Sequence, residues 1–147
     1  MMRIKRAGVL LAGVMMAGSV WAAGFELSPM QNDPDFAAGN TAVKEGRWKD
    51  ALPPLLKVEA RVKTSADVYN LLGVTYRKLK DYETSKKHYD RALQIDPNHL
   101  PTLEYQGEWF IETGNMEKAR ENLARLKQLC GECHEYKDLA EAIAKAK

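Results

Sequence analysis

Residues 66–99 read ADVYNLLGVTYRKLKDYETSKKHYDRALQIDPNH, and this stretch decides the fold. Tyr69, Leu72, Val74, Tyr76 and Leu79 fall largely on one stripe at helical spacing, and Tyr82, Ser85, Tyr89, Ala92 and Leu93 do the same further on. The spacing predicts two short helices folded back on each other, closed by an Asp96-Pro97-Asn98 turn. Gly73 and Ser85 are small enough to let the two approach closely. Pro97 stops the second helix, because proline lacks an amide hydrogen and disfavours helix in the residue before it.

Displaced by its own length in either direction, the unit reappears. Gly39, Gly73 and Gly107 are evenly spaced at that interval, as are Ala51, Ser85 and Ala119. The bulky positions Trp48, Tyr82 and Met116, the set Leu55, Tyr89 and Leu123, and the set Val58, Ala92 and Leu126 keep the same interval. A helix–turn–helix period of 34 is the mark of one repeat architecture. On these residues the chain resembles the tetratricopeptide repeat family over 32–133, in units 32–65, 66–99 and 100–133. The middle unit carries the resemblance best, through Tyr69, Leu72, Gly73, Tyr76, Ser85, Tyr89, Ala92 and Pro97. It implies an all-α fold: a right-handed solenoid of three helix pairs, covered at its end by a capping helix over 134–147. In that last stretch Tyr136, Leu139, Ala140 and Ile143 share one face and Lys or Glu the other, as a polar-backed cap on an open apolar end requires.

The first unit matches least well. Asp35 and Ala38 stand where larger residues are expected, and Pro53 and Pro54 sit near the start of its second helix, which is expected to begin at about Asp50 and to bend slightly.

Residues 1–22 have the layout of a secretory signal peptide: Arg3, Lys5 and Arg6, an apolar run from Ala7 to Val20, then small residues. The apolar run falls short of the roughly 20 residues a membrane helix needs. Export, cleavage after Ala22, a flexible leader over 23–31 and a periplasmic location without stable membrane insertion are therefore expected. Of the 22 Lys and Arg residues three lie in this segment, which has no acid, so the remainder carries 19 bases against 20 acids. A near-neutral domain gives no electrostatic reason to expect nucleic acid.

One stretch has chemical potential: Cys130-Gly131-Glu132-Cys133-His134. C-x-x-C-H is the attachment signature of c-type haem, with His134 as an axial ligand and Met30, Met116, His88 or His99 as the candidates for the second. In an oxidising compartment the same two cysteines would equally form a disulfide stapling the turn. A thioredoxin-like thiol pair would sit beside a βαβ unit, and no strand pattern is present. Zinc would find three ligands here but no second Cys or His pair. The chain's end is also similar to that of some bacterial repeat proteins, in Leu129, Cys130, Cys133, Glu135, Tyr136, Asp138, Leu139, Ala142 and Ile143, a similarity that implies the disulfide. In that pattern the residue after the second Cys is commonly acidic, and His134 departs from it. His88 and His99 read as solvated surface residues.

The repeat resemblance further implies a concave groove lined by the first helix of each unit. The residues expected to contact a partner there are Asn40, Asn70, Val74, Arg77, Tyr105 and Glu108, within a face that also holds Phe36, Lys44, Lys78 and Glu104. That mix suits a peptide or helix carrying charges of both signs. The Lys, Asn and Arg set with which chaperone-binding family members hold a terminal carboxylate is not matched, since Pro101 and Tyr105 replace bases. The function expected is a non-catalytic scaffold or adaptor for another protein, without cofactor, and self-association of copies stays open. The competing expectation is a small c-type haem or thiol-redox protein built on Cys130, Cys133 and His134.

Overall fold

The computed structural model describes residues 29–146. A short 3₁₀ turn over Pro29–Asn32 is followed by α1 (Pro34–Lys44), α2 (Trp48–Arg61), α3 (Ala66–Lys78), α4 (Tyr82–Ile95), α5 (Leu100–Glu112), α6 (Met116–Cys130) and α7 (His134–Lys145). There is no strand among the described residues, and the fold is an all-α solenoid. None of these helices is long and apolar enough to cross a membrane. The expected signal peptide and residues 23–28 of the leader lie outside the described residues.

Several helices start where the local sequence supplies an acceptor for their unpaired amide hydrogens. The Asp33 carboxylate accepts from the Phe36 amide at 3.0 Å, Asp81 from Thr84 at 3.0 Å, and the Asn115 side chain from Lys118 at 3.2 Å. The turns within the pairs are one motif used three times. Gly46, Lys80 and Gly114 hold the same place in successive repeats, with φ of 70°, 68° and 82°. At each turn the following amide reaches back to close the preceding helix: Arg47 to Ala42, Asp81 to Tyr76, Asn115 to Phe110. Lys80 thus holds, with a side chain, a left-handed conformation that glycine provides at its two counterparts.

Within a pair the small positions set the spacing. A Cβ added at Gly73 would stand 2.6 Å from the Tyr89 ring, and Ser85 Oγ donates to the Gly73 carbonyl at 2.7 Å. In the third pair Gly107 is met instead by Leu139 of α7. α7 starts at His134, one repeat length after α5 starts at Leu100, and packs on both α5 and α6. It occupies the place of a further first helix.

The first helices of successive pairs pack on one another, α1 with α3, α3 with α5 and α5 with α7, whereas α2, α4 and α6 do not. The array therefore bends with the first helices on its inner side. Apolar burial is concentrated at the two ends. Phe36, Leu55, Val58, Val68 and Leu72 form one cluster, and Leu103, Phe110, Leu126, Leu139 and Ile143 another. Ala66, Tyr69 and Ala92 make a small cluster between them.

Two local expectations change. Met30, assigned to a flexible leader, is buried in the first cluster beside Phe36 and Val68. The second helix begins at Trp48 rather than Asp50, and carries Pro53 and Pro54 inside it. Those prolines remove the helix donors for the Lys49 and Asp50 carbonyls; both residues are exposed, so water can serve in their place.

Candidate inner groove

The groove is built from one helical face repeated four times. Phe36, Asn70, Glu104 and Asp138 recur at the repeat interval and belong to α1, α3, α5 and α7. One turn further on, Asn40, Val74, Glu108 and Ala142 form a second row. At one end a cavity of about 270 Å³ is lined by Phe36, Asn40, Asp67, Asn70, Leu71 and Pro101. At the other, one of about 280 Å³ is lined by Glu108, Asp138, Glu141, Ala142 and Lys145.

The structure brings the expected groove residues to this face but does not leave them equally free. Asn40, Tyr105 and Glu108 are half-buried, whereas Asn70 and Val74 are buried. Asn70 Oδ1 lacks a hydrogen-bond partner. Arg77 overturns its assignment as a free contact: it is 1% exposed and held between two carboxylates. Its Nη2 lies 2.5 Å from Glu108 Oε2 and its Nη1 3.0 Å from Glu112 Oε1, with the guanidinium 5.9 Å from the centre of the Tyr105 ring. A buried guanidinium is sustained by such pairing, and neither it nor Glu108 offers a free charge. Lys78 is exposed, and Lys80 Nζ reaches Glu112 at 3.5 Å.

Glu104 is the opposite case. It is 5% exposed, and no hydrogen bond or ion pair among the described residues reaches its carboxylate. Burial first, then the negative neighbours Glu108, Asp138 and Glu135, push its pKa up to about 8. Neither the burial of Glu104 nor its closeness to Asp138 was visible in its own segment. The signal was the repeat interval between them, which continues past the third unit.

The two histidines are not solvated. His88 is 13% exposed, stacks on Tyr76 with ring centres 5.2 Å apart, and places Nε2 3.6 Å from Glu59. His99 precedes α5, with Nδ1 2.7 Å from Thr102 Oγ1 and Nε2 3.1 Å from Asp67. Its hydrogen bond holds the Asp67 pKa below the usual carboxylate value.

Cys130 ends α6, Cys133 precedes α7, and a disulfide joins them across Gly131, whose φ is +71°. The exposed His134 lies 3.2 Å from Asp138 Oδ2. Among the described residues no three His, Cys, Asp or Glu side chains converge to hold a metal ion.

Comparison with known proteins follows the same outline. Residues 66–99 match the family model described as tetratricopeptide repeat. The protein ycf37 of Guillardia theta, described as uncharacterized, is 36% identical over 56 residues, covering 38% of this chain and 32% of its own length. Protein NPGR2 of Arabidopsis thaliana is 32% identical over 69 residues, covering 47% of this chain and 9% of its own. The chain thus spans a third or less of the length of these relatives. Among solved structures, PcrH bound to the chaperone binding region of PopD superposes with a TM-score of 0.66 at 20% identity, over 82% of this chain and 92% of that one. The second TPR domain of human RPAP3, in complex with an HSP70 peptide, gives 0.67 at 19% identity, over 80% and 95%. At such identities the likeness is one of fold.

Proposed function

We propose that the chain, whose residues 66–99 match the tetratricopeptide repeat model, is a non-catalytic scaffold that holds a segment of another protein along its inner groove. The observation that carries this reading is the repeated inner face, where four successive helices present Phe36, Asn70, Glu104 and Asp138 in register beside two open cavities. Two structural neighbours, PcrH with a region of PopD and RPAP3 with an HSP70 peptide, were solved holding segments of other proteins, which supports the same use of this fold. Within the groove Arg77 is taken up by Glu108 and Glu112, which supports a role for this face in recognition.

The reading extends to compartment. The basic start and apolar run of residues 1–22 support export to a periplasm, and a disulfide between Cys130 and Cys133 suits an oxidising environment. Fractionation of the producing cell, with an intact mass on the exported product, tests both. A chain retaining residues 1–22, or two free thiols, overturns this part.

A photo-crosslinking side chain placed at Tyr105, in the groove, and at Lys86, on the outer helix α4, tests the scaffold itself. A discrete protein adduct from position 105 and none from 86 is the expected result. Equal adducts at both positions would reject the groove.

A further inference from the structure

We propose that the groove is selective for a cationic segment, one whose lysine or arginine side chains enter between α5 and α7 and pair with Glu104 and Asp138. This rests on the scaffold reading and specifies its partner by charge.

Three observations converge. First, the inner face carries acceptors that no donor reaches. Asn70 is 4% exposed with its Oδ1 unpartnered, and Glu104 is 5% exposed with no hydrogen bond or ion pair among the described residues reaching its carboxylate. Both lie on the row that faces the groove. Second, the cations that could have answered them are already committed. Arg77 is bound by Glu108 and Glu112, and Lys145, at the far end of the face, is tied to Glu141. Third, the carboxylates are not arranged to chelate a metal ion. Asp138 lines an open cavity and Glu104 lies behind it on the neighbouring helix, a spread over two helices that matches a long side chain with a charged tip and an apolar stem. Buried acceptors left unpaired weaken a fold and favour whatever ligand satisfies them.

Glu104 faces Glu108 and Tyr105 on its own helix, Glu135 and Asp138 on α7, and Arg77 on α3. At neutral pH it holds its proton; an incoming ammonium or guanidinium would displace it.

The test uses three 12-residue peptides, differing only in whether two positions four residues apart are lysine, glutamine or glutamate. The lysine peptide should bind about tenfold tighter than the glutamine peptide and the glutamate peptide more weakly still. The double variant Glu104→Gln/Asp138→Asn should abolish that preference, while Glu121→Gln, which removes one charge from the exposed side of α6, should keep it. Calorimetry at pH 7 in buffers of different ionisation enthalpy should detect proton release with the lysine peptide, absent in Glu104→Gln. Circular dichroism establishes that each variant is folded. A lysine preference that survives the double variant, or that falls equally with Glu121→Gln, is general charge attraction and overturns the inference. Equal binding of all three peptides, lost on Tyr105→Ala, also overturns it while leaving the scaffold reading intact. If none of the three binds, both fail.

Discussion

The joint between the first and second helix pairs and the joint between the second and third are made of different materials. At the first, Leu55 and Val58 of α2 meet Val68 and Leu72 of α3 in a continuous apolar cluster. At the second, the apolar contribution is small, and polar side chains bridge the gap. Gln106 donates to Asp90 at 3.1 Å, Trp109 Nε1 donates to the Tyr82 carbonyl at 3.0 Å, and Arg77 crosses from α3 to Glu108 and Glu112 on α5. Apolar attraction is non-directional, whereas hydrogen bonds demand a defined geometry between the groups they join. The first joint therefore supplies adhesion, and the second fixes the angle at which the groove turns.

The largest break in this contrast is expected from Arg77→Ala. It leaves Glu108 and Glu112 without their buried partner and should cost roughly 3–5 kcal/mol in urea unfolding. Arg77→Met combined with Glu108→Gln and Glu112→Gln should recover most of that loss, because the charges leave together; if it recovers none, the pairing is not what the joint depends on. At the first joint, Leu72→Ala should cost roughly 3 kcal/mol by the same measurement, with little change in groove binding. A loss of binding as large as that of Arg77→Ala would erase the distinction between the two joints.

A smaller effect comes from pH. The Glu104 pKa stands at about 8 in the folded protein, above its ordinary 4.5, so the folded state keeps a proton that the unfolded chain has released. Stability from this group is intact below pH 4.5 and is lost as pH rises through 8. Glu104→Gln should remove this dependence and make the protein more stable at pH 9 by about 1–2 kcal/mol, read from melting curves at pH 6 and 9. An unchanged slope would show that Glu104 is not buried as described. The smallest effect is at the turn leading into α4. Lys80→Gly should stabilise by about 0.5–1 kcal/mol, since φ at this position is +68° and its exposed contacts are worth little. Loss of stability would mean that the Lys80 contact with Glu112 outweighs the backbone conformation.

The pair architecture was legible in residues 66–99 because it rests on local periodicity: Gly73 does meet Tyr89, and Ser85 does sit against α3. Arg77 misled because a basic residue in the last turn of a helix ordinarily faces water and complements the helix dipole. Its carboxylates, on Glu108 and Glu112, lie in the next unit, where no local pattern connects them. His88 failed for the same reason, since Tyr76 and Glu59 come from other helices. Asp138 was assigned to a cap, although its interval from Glu104 placed it on the row that lines the groove.

The absence of packing among α2, α4 and α6 has a mechanical consequence. On the outer side the ties between successive pairs are few and polar: His88 approaches Glu59, Arg91 donates to the Lys63 carbonyl, and Arg125 donates to the Pro97 carbonyl. A bound segment that pushes α3 and α5 apart works against the Arg77 clasp and against the hydrogen bonds by which α5 holds α4. Resistance to opening at this joint is thus shared between its hollow side and the α4–α5 contacts behind it.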